Sequence, residues 1–542
     1  MVSYYRSGSE LAVNNFVASN QTVPSVTYLP GGGFVITWET SDSSQDGSSG
    51  AIKGQVFDAA GAKVGAEFRV NTQAISNQYN AEVTALANGT FVVSWVDSNT
   101  AQDGSSSAIK AQLFSATGAK IGAEMLVNTV AAGAQLSPEV AGLAGGGFVI
   151  SWSDANVGVT NVKAQIFSAA GAKVGTEFLV NNLTAAVQDR SDVAAFAGGG
   201  FVVTWRTTDS SQDGSGDAIK ARLFAANGTP LGNEFLVNSQ AAAFQFDPVV
   251  AVLVNGNFAI SWLTADAAQD GSGMAVKAQI FDPAGAKIGA EFLVNTQASN
   301  NQDRAAITSL SSGGFMMAWA SFDTLQDGSG AAVKAQVFDD AGGKVGAEFQ
   351  INTLASGNQS LPQLAAMADG RVVATWSSDS GDGSGMAVRA QILAPNPAPV
   401  IVSDGGGSTA AVSVNEGQTA VSTVAATDQG GPAAVQYSIS GGADAALFQI
   451  DGATGALAFA AAPDFETPAD ADVDNVYEVV VSAWDGELAD TQAILVTVDD
   501  VEEGGGEGFG AVDGGAFASG SAVGDYSMQP YETLPPTASE FG

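Results

Sequence analysis

Residues 67–114 read EFRVNTQAISNQYNAEVTALANGTFVVSWVDSNTAQDGSSSAIKAQLF, and versions of this stretch recur seven times in the 542-residue chain. Registering the copies on their tryptophan gives Trp38, Trp95, Trp152, Trp205, Trp262, Trp319 and Trp376, at spacings of 57, 57, 53, 57, 57 and 57 residues. Every copy has a Glu 28 residues before the Trp, an Asn 24 before and a Gln 17 before. Four short runs per copy, EFRVN, AEVTAL, TFVVSW and SAIKAQLF in the second, alternate or are β-branched and end at turn residues, as strands do. A four-stranded unit of this length is one propeller blade, and seven blades close a ring without long free edges.

The seventh unit stops at AVRAQIL (387–393), and an orphan copy of the missing strand, ELAVNN, stands at 10–15. The array is therefore expected to close by using both its ends in one blade. The predicted organisation is an irregular lead-in at 1–9, a seven-bladed β-propeller at 10–393, a Pro/Gly-rich linker at 394–408, a second β domain at 409–503 and a Gly-rich acidic tail at 504–542. The tail has too little apolar content to form a core, and a C-terminal secretion signal is one reading of it.

The chain contains no Cys and no His, which removes disulfides, thiolate and imidazole metal sites and most nucleophile–base pairs. Its formal net charge is -37; all 19 Lys and Arg lie at or before Arg389, and residues 390–542 carry 23 Asp and Glu. Such a balance repels phosphate, so neither nucleic acid nor membrane insertion is expected, and carboxylates without His or Cys suit hard cations, above all Ca²⁺. Residues 1–25 lack the basic start and apolar centre of a Sec signal, so export is expected by another route.

Two long connections per blade, such as NTQAISNQYN and VDSNTAQDGSSS, emerge on one face, where a binding site is expected. That face carries Asp or Asn four residues after the Trp, including Asp42, Asp209, Asp266 and Asp323. Asp also stands eight after it in five blades: Asp46, Asp103, Asp213, Asp270 and Asp327. These are read as Asp-Gly turns, with weak Ca²⁺ loops as the sharper alternative. The tryptophans are read as core and the recurrent Gln as satisfying buried backbone groups, while Lys53 is expected to pair with Glu67 across strands. Arg190, Arg206 and Arg304 occur once each and suit an anionic sugar.

After the propeller, AVSVNEGQTAVSTVAATD, YSISGGADAALFQIDGATGALAFAAAPDFE, DADVDNVYEVVVSAWDG and ILVTVDDVEE follow in order. Over about 400–503 this resembles the bacterial cadherin-like repeat of large secreted RTX-type adhesins, although the glycine-rich RTX nonapeptide is absent as a clean repeat. The resemblance implies an Ig-type β-sandwich that binds Ca²⁺ near its ends through Glu416, Asp464, Glu466 and Asp500. Gly430 and Glu502 depart from the family's ligands. Separately, the alternation of Asp470, Asp472 and Asp474 lets three carboxylates surround one cation.

The function expected from these readings is a non-enzymatic, calcium-binding adhesion or interaction protein, extracellular or on a bacterial surface. Its partners would be a cell-surface or matrix protein, a glycan or further copies of itself. A structural subunit of a surface layer or filament is one alternative, and a polysaccharide-acting propeller enzyme is another. The enzyme ranks behind because most acidic residues recur from blade to blade, whereas acid–base catalysis needs a singular pair.

Overall fold

The computed structural model describes residues 2–502 apart from 16–17, 45–49, 74, 101–103, 105, 131, 157–158, 183–185, 212–213, 215, 240–242, 267–270, 272, 297–299, 324–329, 381–382, 384 and 431–432. Seven four-stranded antiparallel sheets account for residues 4–395. Blade 2 is representative, with strands Gln78–Ala85, Phe91–Asp97, Ala108–Phe114 and Lys120–Leu126. Its two middle strands are buried along their whole length, because neighbouring blades cover both faces of each sheet. That is why they read as near-continuous apolar runs rather than alternating ones. The fourth strand lies on the rim and is largely exposed.

The outer strand of the seventh blade is Tyr4–Ala12, running antiparallel to Ala387–Pro395 with Tyr4 opposite Pro395 and Ala12 opposite Arg389. It begins six residues before the orphan motif at Glu10, so the expected irregular lead-in at 1–9 is corrected. The partner strand continues to Pro395, and Tyr4 is buried with its hydroxyl donating to the Gly370 carbonyl at 2.7 Å. The ring closes at its centre as well, where Thr22 Oγ1 of the first blade meets Ser377 Oγ of the seventh at 3.1 Å.

The recurrent side chains join strand to strand and blade to blade. Each recurrent Asn accepts the backbone N–H of a third-strand residue; Asn71, for example, takes Ile52 N–H at 2.9 Å and Asn14 takes Val388 N–H at 2.9 Å. Each recurrent Glu accepts an N–H from the loop of the preceding blade, as Glu291 does from Ser239 (2.6 Å) and Glu10 from Thr353 (2.9 Å). The expected Lys53–Glu67 ion pair forms at 3.3 Å, with both side chains nearly buried. All seven tryptophans are at most 1 % exposed, so carbohydrate stacking on them is excluded.

The recurrent Gln does more than satisfy backbone. In five blades its Oε1 accepts the Trp indole N–H, at 2.8 Å for Gln188 and Trp205. In blades 2 and 3 the residue two after the Trp is Asp97 or Asp154 instead of Thr or Ser. There the Gln amide donates to that carboxylate at 3.3 and 3.1 Å.

The second unit is a β-sandwich. One sheet holds Thr409–Asn415, Ala489–Asp499, Val476–Trp484 and Gln436–Gly441, and the other holds Ala420–Thr423, Ala456–Phe459 and Phe448–Ile450. Tyr477, Phe448 and Phe459 meet ring to ring between them. The expected linker at 394–408 is largely structured. Val400–Ile401 pairs with Ala426–Thr427, and Ile401 is buried in the sandwich core. Asn396 donates to Asp485 (2.9 Å) and Glu487 (3.1 Å), and Glu487 also accepts from Ser3 N–H and Oγ, both at 2.7 Å. Gly430, the departure noted above, lies against the Tyr5 ring, where any Cβ would overlap it.

Candidate functional site

The first strand of every blade lines the ring's axis, and in every blade it carries the same bulge. In blade 1, Thr22 lies opposite Glu39 and Ser25 opposite Thr37, so Val23 and Pro24 together face Trp38 alone. The first bulge residue is left-handed in all seven blades, with φ between 49° and 56° (Val23, Asn80, Ser137, Arg190, Asp247, Arg304, Leu361). Proline follows it in four blades, where a bulge needs no ladder donor. The bulge residue and, in every blade but the first, the residue two further on line a central cavity of about 450 Å³, within the range of small-molecule sites.

The backbone is seven-fold here and the side chains are not. The position two after the bulge residue is acidic in three consecutive blades, as Glu82, Glu139 and Asp192, and is Ser25, Val249, Ala306 or Gln363 in the others. The bulge position is Arg190, Asp247 and Arg304 in blades 4 to 6. Arg190 ion-pairs with Asp247, and the Arg304 side chain is exposed, its charge acting on the neighbouring Asp303, whose carboxyl it holds down against burial. The channel thus has an acidic sector and a basic sector that meet in blade 4.

The three acids are partly exposed where they line the channel and otherwise enclosed by protein, and burial is the main cause of their raised pKa values. Glu82 is pushed up to about 8 by burial, against the hydrogen bond from Ser25 Oγ (2.7 Å) and with the charges of Asp192 and Glu39 adding to the rise. Asp192 rises less, to about 6, because its carboxylate accepts the N–H groups of Val193 and Val250, each at 2.7 Å. Glu139 has no hydrogen-bond partner among the described residues and is raised well above the ordinary value by burial and then by Glu82 and Asp192. Glu39 accepts the Asn80 N–H at 2.5 Å and is raised to about 7, again by burial. Asp192 is raised less than Glu82, so of these two it is the one that ionises first as pH rises.

None of the three channel acids is among the candidates the sequence offers through its recurrent positions. The signal was the converse: with the copies registered on Trp, the position 13 residues before it is where the side chain changes character from blade to blade. Of the three arginines singled out, Arg190 and Arg304 line the channel. Arg206 does not, and is held by Asp189 (2.7 Å) and Asp217 (3.0 Å).

On the loop face, Asp42 accepts Ser44 N–H and Oγ at 3.0 and 2.7 Å, and Asp209 does the same with Ser211. These are turn contacts of an Asp with its own loop. Asp42, Asp209, Asp266 and Asp323 belong to neither of the two carboxylate triads found among the described residues. Asp46, Asp103, Asp213, Asp270 and Asp327 lie outside the described residues.

Both triads are in the sandwich. Glu416, Glu466 and Asp500 offer oxygens within 4.8 Å of one another, as do Asp470, Asp472 and Asp474. Asp464, implied for the first site by the family resemblance, is not within 4.8 Å of all three; its carboxylate accepts the Thr467 N–H at 3.0 Å, and its charge acts on Glu466.

No family model matches the chain. Halomucin of Haloquadratum walsbyi is 35% identical over 157 residues, 28% of this chain, which spans only 2% of halomucin's length. Among solved structures, the α-L-arabinofuranosidase Arb93A of Fusarium graminearum aligns with 71% of this chain and 98% of its own, at 10% identity and a TM-score of 0.41. The polysaccharide lyase Uly1 aligns over 70% and 91%, at 10% identity and a TM-score of 0.46. These are likenesses of fold.

The expectation of a non-enzymatic adhesion protein does not stand. It rested on the absence of a singular set of acid groups, and Glu82, Glu139 and Asp192 are such a set.

Proposed function

We propose that the ring is a glycosidase that cleaves an acidic polysaccharide in its central channel. The observation that carries this reading is the cluster of Glu82, Glu139 and Asp192 beside Arg190 and Arg304. Glycosidic hydrolysis uses two carboxyl groups, one protonated to donate to the leaving oxygen and one ionised to act as nucleophile or base. Glu82 and Glu139 suit the acid role, and Asp192, the most readily ionised of the three, suits the second. The Arg304 guanidinium would take a carboxylate or sulfate on the sugar, a charge-assisted bond that also sets orientation.

The test is release of reducing ends from a panel of uronate-containing, sulfated and neutral polysaccharides by the full chain and by Glu82→Gln and Asp192→Asn. Hydrolysis of an anionic member that both variants lose supports the reading. Inactivity of the wild type on the whole panel, or activity that neither substitution reduces, overturns it.

The finer reading of the sandwich is a cadherin-like domain that takes Ca²⁺ at Glu416, Glu466 and Asp500, favoured by the convergence of those carboxylates. Thermal unfolding of the full chain with Ca²⁺ and with chelator, beside Glu416→Gln/Glu466→Gln, tests it; a Ca²⁺ response equal in both proteins rejects it. No helix among the described residues is long and apolar enough to cross a membrane. An extracellular setting is proposed, with which the short similarity to halomucin is compatible.

A further inference from the structure

The loop at 469–475 has no part in the channel or in the Glu416 triad. Asp444 ties it down at both ends, its carboxylate accepting the N–H of Ala471 at 2.7 Å and of Glu478 at 2.8 Å. Tyr477 OH accepts the Ala469 N–H at 3.1 Å. On this loop Asp470, Asp472 and Asp474 converge to within 4.8 Å. Asp472 and Asp474 face solvent, but Asp470 is only 4 % exposed. Its Oδ2 accepts the Asp474 N–H at 2.7 Å, and its Oδ1 is buried with no hydrogen-bond partner among the described residues.

A buried carboxylate oxygen left unpaired is costly, and two further carboxylates beside it add repulsion. Nothing in the sandwich answers that charge, because the chain has no Lys or Arg after Arg389. The nine-residue strand Val476–Trp484 separates the loop from Asp485, which contacts Asn396 at the junction with the ring.

We propose that Asp470, Asp472 and Asp474 form a Ca²⁺ site, with Asp470 Oδ1 as its inner ligand. Ca²⁺ bonds to oxygen are ~2.3–2.6 Å, so one ion spans oxygens up to roughly 5 Å apart, whereas the ~2.0–2.1 Å bonds of Mg²⁺ would draw the loop inward. The open side, lined by exposed Asp472 and Asp474, leaves room for the waters that complete a coordination shell of 6–8. This site is independent of the channel and of the Glu416 triad.

The test is calorimetric titration of the full chain with CaCl₂. Three proteins are compared: the wild type, Asp472→Asn/Asp474→Asn and Glu416→Gln/Glu466→Gln. Asp472 and Asp474 are exposed, so the first variant should fold as the wild type does, which near-UV circular dichroism checks. The expected result is one binding event fewer in the Asp472/Asp474 variant and retention of that event in the Glu416/Glu466 variant, with no displacement by equimolar Mg²⁺. Unchanged stoichiometry and affinity in the Asp472/Asp474 variant, or no Ca²⁺ bound by the wild type, overturns the proposal. Displacement by equimolar Mg²⁺ overturns the choice of ion.

Discussion

Ser25 Oγ donates a 2.7 Å hydrogen bond to Glu82, and the two residues hold the same position in neighbouring blades, 57 residues apart. A seven-fold backbone thus brings non-equivalent side chains into direct contact around one axis. A repeat protein becomes asymmetric enough for chemistry in this way, since each blade contributes a different group at the same depth.

The first prediction concerns the pH profile of hydrolysis. With Asp192 titrating at about 6 and Glu82 at about 8, the productive pair of ionised Asp192 and protonated Glu82 is most populated between those values. Activity should be bell-shaped and maximal near neutral pH, with Glu82→Gln lowering it about 10²- to 10⁴-fold. A profile still rising at pH 9 would remove Glu82 from the acid role.

Stability should show the same groups with a definite sign. Glu82, Glu139, Glu39 and Asp192 all have folded-state pKa values above their ordinary 4.5 or 3.8. The folded state therefore binds more protons than the unfolded one, and this contribution is fully present below pH 4 and is lost as pH rises through about 6 to 8. The melting temperature of the ring should fall between pH 5 and pH 9, and the fall should be smaller in Glu82→Gln. A melting temperature that rises over that interval would contradict the burial of these groups.

Arg304→Ala should separate binding from chemistry. Losing a charge-assisted bond of about 1.5–3 kcal/mol should raise KM for an anionic polysaccharide roughly ten- to hundredfold. Stability should change little, since the side chain is exposed. Equal loss on neutral and anionic substrates would show that Arg304 does not read charge.

Gln188→Ala would strip the Trp205 indole N–H of its acceptor inside the core. The expected cost is about 1–3 kcal/mol, read as a lower melting temperature of the ring. Blade 2 is an internal comparison, because Trp95 Nε1 is buried without a partner already. A melting temperature unmoved by the change would mean that the Gln–Trp bond contributes nothing net.

Removing residues 1–12 should expose the edge of Ala387–Pro395 and delete both the Glu10 contact to Thr353 and the Ser3 contacts to Glu487. The truncated protein should associate through the free edge or melt well below the intact chain. Sedimentation and thermal unfolding measure both. Unchanged behaviour would show that the ring does not depend on this closure.

Much of the fold was legible from the sequence alone. The spacing of the tryptophans set the number and size of the blades, and the FVVSW type of run placed the strand buried on both faces. The orphan ELAVNN motif gave away the closure, because an unpaired strand copy at one end answers a missing one at the other. The Lys53–Glu67 pair followed from strand order. The absence of His and Cys by itself limits the chemistry to carboxylates, arginines and other oxygen and amine groups.

What tertiary structure decided was which side chains share the axis. Glu82, Glu139 and Asp192 are more than 50 residues apart, and nothing local distinguishes them from surface acids. Only the ring brings their first strands together and turns the bulge inward. The direction of the Gln78 and Gln135 amides depends on Asp97 and Asp154 across the sheet. Such features depend on desolvation and on neighbours remote in the chain, whereas periodicity reports only which face of each strand is buried.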